Sequence, residues 1–153
     1  MMKFTARNAS VSVLLTLVLV MLSTNSVAAP PPVLPNPVLY LMGTQPYTSD
    51  GKNYVRYVFD VENRDAYPKE MFAPAPALPP CGQNKNSSRT WVDFYNQSGK
   101  RIYGFCALGK PADLTGIWFG LPEDEVPPSY VYIEMSDRQT NTKYKSNLAD
   151  TAP

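Results

Sequence analysis

The chain has 153 residues, 44% of them hydrophobic and 18% charged, with 14 basic and 13 acidic side chains for a formal net charge of +1. So even a balance excludes the clustered basic excess of a nucleic-acid binder, and no nucleic-acid partner is expected. Histidine is absent, which excludes Ser-His-Asp and Cys-His catalysis and the usual zinc and copper sites. Neither a metal nor a cofactor is expected, and any chemistry has to come from carboxylates, lysine, tyrosine or the backbone.

The first element is an address. Lys3 and Arg7 supply a positive start, Val11 to Leu22 is apolar except for Ser12 and Thr16, and a polar Ser23-Thr24-Asn25-Ser26 spacer leads to Val27-Ala28-Ala29. This is the three-part pattern of a secretory signal peptide. A membrane-spanning helix needs about 20 predominantly apolar residues, and this run is shorter. Cleavage after Ala29 would present Pro30 to the protease, so the cut is expected after Ala28, giving a signal peptide over 1–28. The exported chain, periplasmic or extracellular, then has no membrane span. With Lys3 and Arg7 lost and all 13 acids kept, its net charge becomes −1.

About 125 residues remain, a typical single-domain length that supports one hydrophobic core. Cys81 and Cys106 are the two cysteines. In an oxidising compartment an even count predicts one disulfide, and their spacing has no C-x-x-C character. Closing a loop of about 26 residues is worth roughly 3–4 kcal/mol in the chain-entropy model.

Residues 29–37 hold five prolines, Pro30, Pro31, Pro32, Pro35 and Pro37. They read as an extended leader that spaces the fold from the export site. Val38 to Met42 is a continuous apolar run ended by Gly43, and Tyr47 to Asn53 reads as a turn longer than a two-residue one. From Tyr54 to Val61 the chain alternates, with Val55, Tyr57, Phe59 and Val61 on one face and Tyr54, Arg56, Val58 and Asp60 on the other. That period of two marks a half-buried strand. Residues 63–80, broken by Pro68, Pro74, Pro76, Pro79 and Pro80, read as a long irregular crossover.

Residues 90–106 carry the clearest local signal. Trp91, Asp93 and Tyr95 alternate with Val92, Phe94 and Asn96, Gln97-Ser98-Gly99-Lys100 turns, and a second β-rich run returns to Cys106, which predicts a hairpin. A strand follows over Leu114–Leu121, then one over Tyr130–Met135 with Val131, Ile133 and Met135 inward, then a return over Thr142–Lys145. The tail over 148–153 is expected to be flexible. No stretch shows a sustained apolar 3.6 period, so the fold class is all-β: about seven strands in a single antiparallel β-sandwich over 38–147.

Trp91 on the third strand, the hairpin to Cys106 and the Val126-Pro127-Pro128-Ser129-Tyr130-Val131-Tyr132 entry into the sixth strand resemble an immunoglobulin-like or fibronectin type III-like domain. A tyrosine after a proline corner is similar to the tyrosine corner of those folds. The likeness is one of fold. It implies no antibody-type recognition, because a Cys81–Cys106 bridge would pin the proline loop to a sheet edge instead of spanning the core.

Candidate sites are few. Trp91, Tyr95, Tyr103, Trp118 and Phe119 are aromatics on β-rich runs, able either to fill the core or to stack on a sugar or peptide. Glu123-Asp124-Glu125 and Asp50-Gly51 lack the spacing of a calcium loop and read as solvated turns. Asp60, Asp93, Asp113 and Glu134 are the acids near strands that a glycosidase-type pair would need. Asn86 and Asn96 begin N-x-S patterns, which carry weight only in a eukaryotic secretory chain. The expectation is an exported, non-enzymatic binding or interaction module with an unknown protein or glycan partner, Trp91, Tyr95, Tyr103 and Trp118 forming the contact surface and no catalytic residue. The alternatives are a carbohydrate-binding surface domain using those aromatics, a small carboxylate-dependent hydrolase, and a subunit that pairs through an edge strand.

Overall fold

The structure, a computed structural model, describes residues 33–80, 88–105 and 109–152. The signal peptide, the first half of the proline leader, Asn86, and both Cys81 and Cys106 lie outside the described residues.

Among the described residues, eight strands form two antiparallel sheets. They are β1 (Leu39–Ser49), β2 (Lys52–Val61), β3 (Thr90–Asn96), β4 (Arg101–Phe105), β5 (Ile117–Pro122), β6 (Tyr130–Asp137), β7 (Thr142–Lys145) and β8 (Ala149–Asp150). One sheet has the order β1-β2-β5; the other runs β4-β3-β6-β7, with β8 added on the first residues of β6. This is the all-β, two-sheet architecture expected from the alternation of apolar residues. Among the described residues no helix is long and apolar enough to cross a membrane.

The core follows from the period of two. Tyr57, Phe59 and Val61 of β2, with Ile117 and Phe119 of β5, point inward from the smaller sheet. Val92 and Phe94 of β3, with Val131, Ile133 and Met135 of β6, point inward from the larger one, each fully buried. Phe59, Phe94 and Phe119 meet at the centre, with ring centroids 5.3–5.8 Å apart. Burial of each such ring contributes about 1.5–3 kcal/mol. Phe119, a surface-aromatic candidate by sequence, therefore belongs to this core and not to a binding surface.

Three segments differ from the sequence reading. The β1–β2 connection is a two-residue turn, because β1 continues through Pro46 to Ser49. Asp50 (φ 50°) and Gly51 (φ 72°) both take the left-handed conformation that a tight primed hairpin turn requires. Residues 63–80 are not a structureless crossover. Short 3₁₀ turns over Arg64–Ala66 and Lys69–Phe72 carry Tyr67, Met71 and Phe72 into the core. The tail does not fray: Ala149 and Asp150 pair with Val131 and Tyr130, and Thr151 is buried with its hydroxyl donating to the Pro128 carbonyl.

The described part of the leader is held against the domain. The Tyr67 hydroxyl donates to the Pro35 carbonyl (2.8 Å), Asn63 donates to the Asn36 carbonyl (2.8 Å), and Leu34 rests on the core. On the other side of β1, Asn147 copies a pairing strand. Its Oδ1 accepts from the Leu39 N–H and its Nδ2 donates to the Leu39 carbonyl, at 2.8 and 2.9 Å. The tyrosine-corner hydrogen bond is absent among the described residues. Tyr130 is 45% exposed and the Tyr132 ring lies parallel to Tyr95, 5.2 Å away.

Candidate functional site

The four aromatics expected to act together are divided between the two outer faces. Trp91 and Tyr95 lie on the outer face of the larger sheet, on β3. Trp118 lies on the outer face of the smaller sheet, on β5, where Tyr103 reaches it from the edge strand β4. Tyr103 is 44% exposed, and its ring runs nearly parallel to Trp118 with centroids 6.2 Å apart.

On the smaller sheet, alternation along β2 sends Tyr54 and Arg56 outward, opposite to buried Tyr57 and Phe59. The register sets Tyr54 beside Tyr47 of β1, and Arg56 between Gln45 of β1 and Gly120 of β5. Gly120 is what lets the cluster close. Its missing side chain leaves a gap over β5 that the Tyr47 ring occupies, and a Cβ there would collide with the Tyr47 hydroxyl. Tyr47 in turn stacks on Tyr54 at 5.3 Å and meets Trp118 edge-on at 6.1 Å. The Arg56 guanidinium carbon lies 4.0 Å from the Trp118 ring centroid and 4.8 Å from that of Tyr47. Tyr54, Tyr47, Arg56, Trp118 and Tyr103 thus make one continuous row across β2, β1, β5 and β4.

The electrostatics of this row are unusual. Of the five arginines among the described residues, Arg64, Arg89 and Arg101 bind the carboxylates of Asp60, Asp137 and Asp93, and Arg138 donates to the backbone carbonyls of Ser88 and Pro79. Arg56 alone has no hydrogen bond, and its buried Nε has no acceptor. It is held only by the two aromatic rings, an interaction of about 0.5–2 kcal/mol that fixes a side chain without satisfying its donors. The hydroxyls of Tyr47, Tyr54 and Tyr103 are likewise unengaged by the protein among the described residues.

The outer face of the larger sheet is built differently. Asp93 and Glu134 are cross-strand partners, which makes them the closest thing to the paired carboxylates of a hydrolase. Each is clamped by a cation on a neighbouring strand, Asp93 by Arg101 and Glu134 by Lys143, both at 2.6 Å. The pair sits on an open sheet face and not across a cleft. Burial, then the nearby Asp93 and Glu134 charges, push the Tyr95 phenol up. The hydrogen bond to Glu134 raises Lys143. Lys145 lies 4.1 Å over the Tyr132 ring, and Arg138 lies 5.4 Å over Trp91, whose buried Nε1 has no acceptor.

The other acids are also occupied. Asp60 takes Arg64 and the Tyr40 hydroxyl, and Asp113 accepts the Gly109 and Lys110 N–H groups to cap a 3₁₀ turn. Asn96 uses its Oδ1 on Ser98 and Lys100, which shapes the β3–β4 turn. No group of three metal-ligating side chains exists among the described residues.

The sequence reading missed Tyr47, Tyr54 and Arg56. The signal was half present: Tyr54 and Arg56 fall on one face of β2 by alternation, whereas their meeting with Trp118 depends on a β2–β5 register between distant residues.

No protein-family model, curated protein or solved structure matches this chain.

Proposed function

We propose that this chain is an exported, non-enzymatic binding module on a fibronectin type III-like sandwich, and that the outer face of the β1-β2-β5 sheet is its contact surface. Export rests on the signal pattern over 1–28, and the Cys81–Cys106 disulfide belongs with it. The strand order supports the fold reading. In the immunoglobulin constant arrangement the fourth strand joins the first, second and fifth; here β4 pairs with β3 in the other sheet.

One observation carries the functional reading: an aromatic row with a cation fixed in it whose donors no described residue uses. Groups that stabilise a fold are expected to be satisfied within it. A rigid, half-exposed Arg–aromatic cluster is instead the composition of a contact hot spot. The occupied carboxylates weigh against the hydrolase alternative, since general acid–base work needs acids with room to exchange protons.

The test is a panel of immobilised polysaccharides and extended peptides, probed with the exported chain. Capture by wild type, lost in Trp118→Ala with an unchanged circular dichroism spectrum, is the expected result. Capture that Trp118→Ala leaves intact would overturn the choice of face. Turnover of any panel member, abolished by Asp93→Asn, would overturn the non-enzymatic reading.

A further inference from the structure

Resting on that reading, we infer that the face takes an anionic polysaccharide, its sugar rings stacked along the aromatic row and its oxyanions held by Arg56. Charge complementarity points to an anion. Arg56 is a cation with no acid partner in a row that contains no acid, while the other described carboxylate-binding arginines already have theirs. A guanidinium presents a planar fork of donors that matches a carboxylate or sulfate in bidentate fashion. Trp118 and Tyr47 hold that fork in place before any ligand arrives, so little side-chain entropy is lost on binding.

The shape and spacing of the row point to a saccharide. It lies on an open sheet face, and its successive ring centroids are 5.3, 6.1 and 6.2 Å apart. Tyr47 stands at 71° to Trp118, so the row offers two platforms, the Tyr54–Tyr47 pair and the Trp118–Tyr103 pair, on which the apolar faces of pyranose rings settle while their hydroxyls meet the phenol groups of Tyr47, Tyr54 and Tyr103. An acidic peptide would bring the anion but no flat apolar faces to use the row.

The flanking charges give the site a direction. At the far end of β2, Asp60 is neutralised by Arg64. Beyond Pro122, which pairs with Tyr54, come exposed Glu123, Asp124 and Glu125. With Lys52 beside them as the one cation there among the described residues, these three acids leave the Tyr54 end net negative and repel an oxyanion there over roughly a Debye length of 8–10 Å. The anionic group is therefore expected at the Arg56–Trp118–Tyr103 end, with the chain leaving over Tyr54 through an uncharged ring.

Isothermal titration of the exported chain tests this with five probes: polygalacturonate, its fully methyl-esterified form, dextran sulfate, neutral dextran and poly-glutamate. Polygalacturonate or dextran sulfate is expected to bind at least tenfold more tightly than its neutral counterpart, and which of the two binds tells carboxylate from sulfate. Arg56→Gln should remove that advantage and Tyr103→Ala, at an exposed position that tolerates truncation, should weaken the same complex several-fold. Equal binding of charged and neutral forms would overturn the anion inference and leave the contact face standing. Poly-glutamate binding as tightly as the polysaccharides would overturn the saccharide class. Silence of all five probes would overturn this inference, while the panel above still decides the contact face.

Discussion

The two outer faces of this sandwich use the same kinds of residue to opposite ends. Across the larger sheet, Arg101, Asp93, Glu134 and Lys143 form a row of charges in which each cation binds an acid on the adjacent strand. Across the smaller sheet, Tyr54, Tyr47, Arg56, Trp118 and Tyr103 form a row with one cation and no acid. The four charges of the first row are closed on one another, while beside them Lys145 rests on the Tyr132 ring and the Trp91 Nε1 has no acceptor. The second is rigid and incomplete. The comparison separates charge that maintains a surface from charge that awaits a ligand, a distinction that charge counts over the whole chain hide.

The largest expected break comes at the end of the larger sheet. Arg89 binds both oxygens of buried Asp137, at 2.7 and 2.6 Å. Arg89→Met strands that carboxylate and should cost about 3 kcal/mol, read as the shift of the urea midpoint. Burial alone would raise the Asp137 carboxyl, but bonds from Arg89, Thr140 and the Gln139 N–H outweigh it and hold the group below the ordinary aspartate range. A carboxyl depressed in the fold adds stability above its unfolded value, near 3.9, and that stability fades as pH falls through the folded value. Asp137→Asn should therefore be markedly less stable than wild type at pH 7, with the gap shrinking on acidification below pH 4.

The matching change on the smaller sheet should behave in the opposite way. Arg56→Met gives up a cation–aromatic contact of about 0.5–2 kcal/mol but also removes a buried N–H without an acceptor, worth about 1–3 kcal/mol in the other direction. Stability should fall by no more than about 1 kcal/mol and rise by no more than about 2.5 kcal/mol. A loss as large as that of Arg89→Met would mean that Arg56 serves the fold, which would remove the reason for calling its face a receptor. The smallest effect belongs to Arg101→Ala. Its half-exposed ion pair with Asp93 should contribute less than about 1 kcal/mol, and that contribution should vanish in high salt.

Much of the fold was legible because burial writes a period of two into the strands. Val55, Tyr57, Phe59 and Val61, or Val131, Ile133 and Met135, need no other information to be assigned inward. What escaped was written too briefly or too far away. Beyond Gly43, β1 is an edge strand of Thr44, Gln45 and Pro46 without an apolar face, so its length was invisible, and the turn that Ser49-Asp50-Gly51 announces reads longer in the sequence than its two residues. The 3₁₀ turns that bury Met71 and Phe72 are shorter than any helical period. Strand β8 has only two residues. At the site, local alternation pairs Tyr54 with Arg56, but only the long-range register brings Trp118 beneath the guanidinium and Gly120 beneath Tyr47. The disulfide expected between Cys81 and Cys106 is decided by intact mass after alkylation with and without reduction, where a shift only after reduction is predicted.

The placement of one tryptophan on each outer face gives each face its own reporter of binding. Two variants, Trp91→Phe and Trp118→Phe, each leave a single fluorescent reporter, and both are titrated with whichever panel member wild type captures. With the β1-β2-β5 face as the contact surface, the emission of Trp118 in the Trp91→Phe chain shifts and saturates, while that of Trp91 in the Trp118→Phe chain stays flat at the same concentrations. Saturation reported by Trp91, with Trp118 silent, would contradict that assignment and move the contact surface to the opposite sheet.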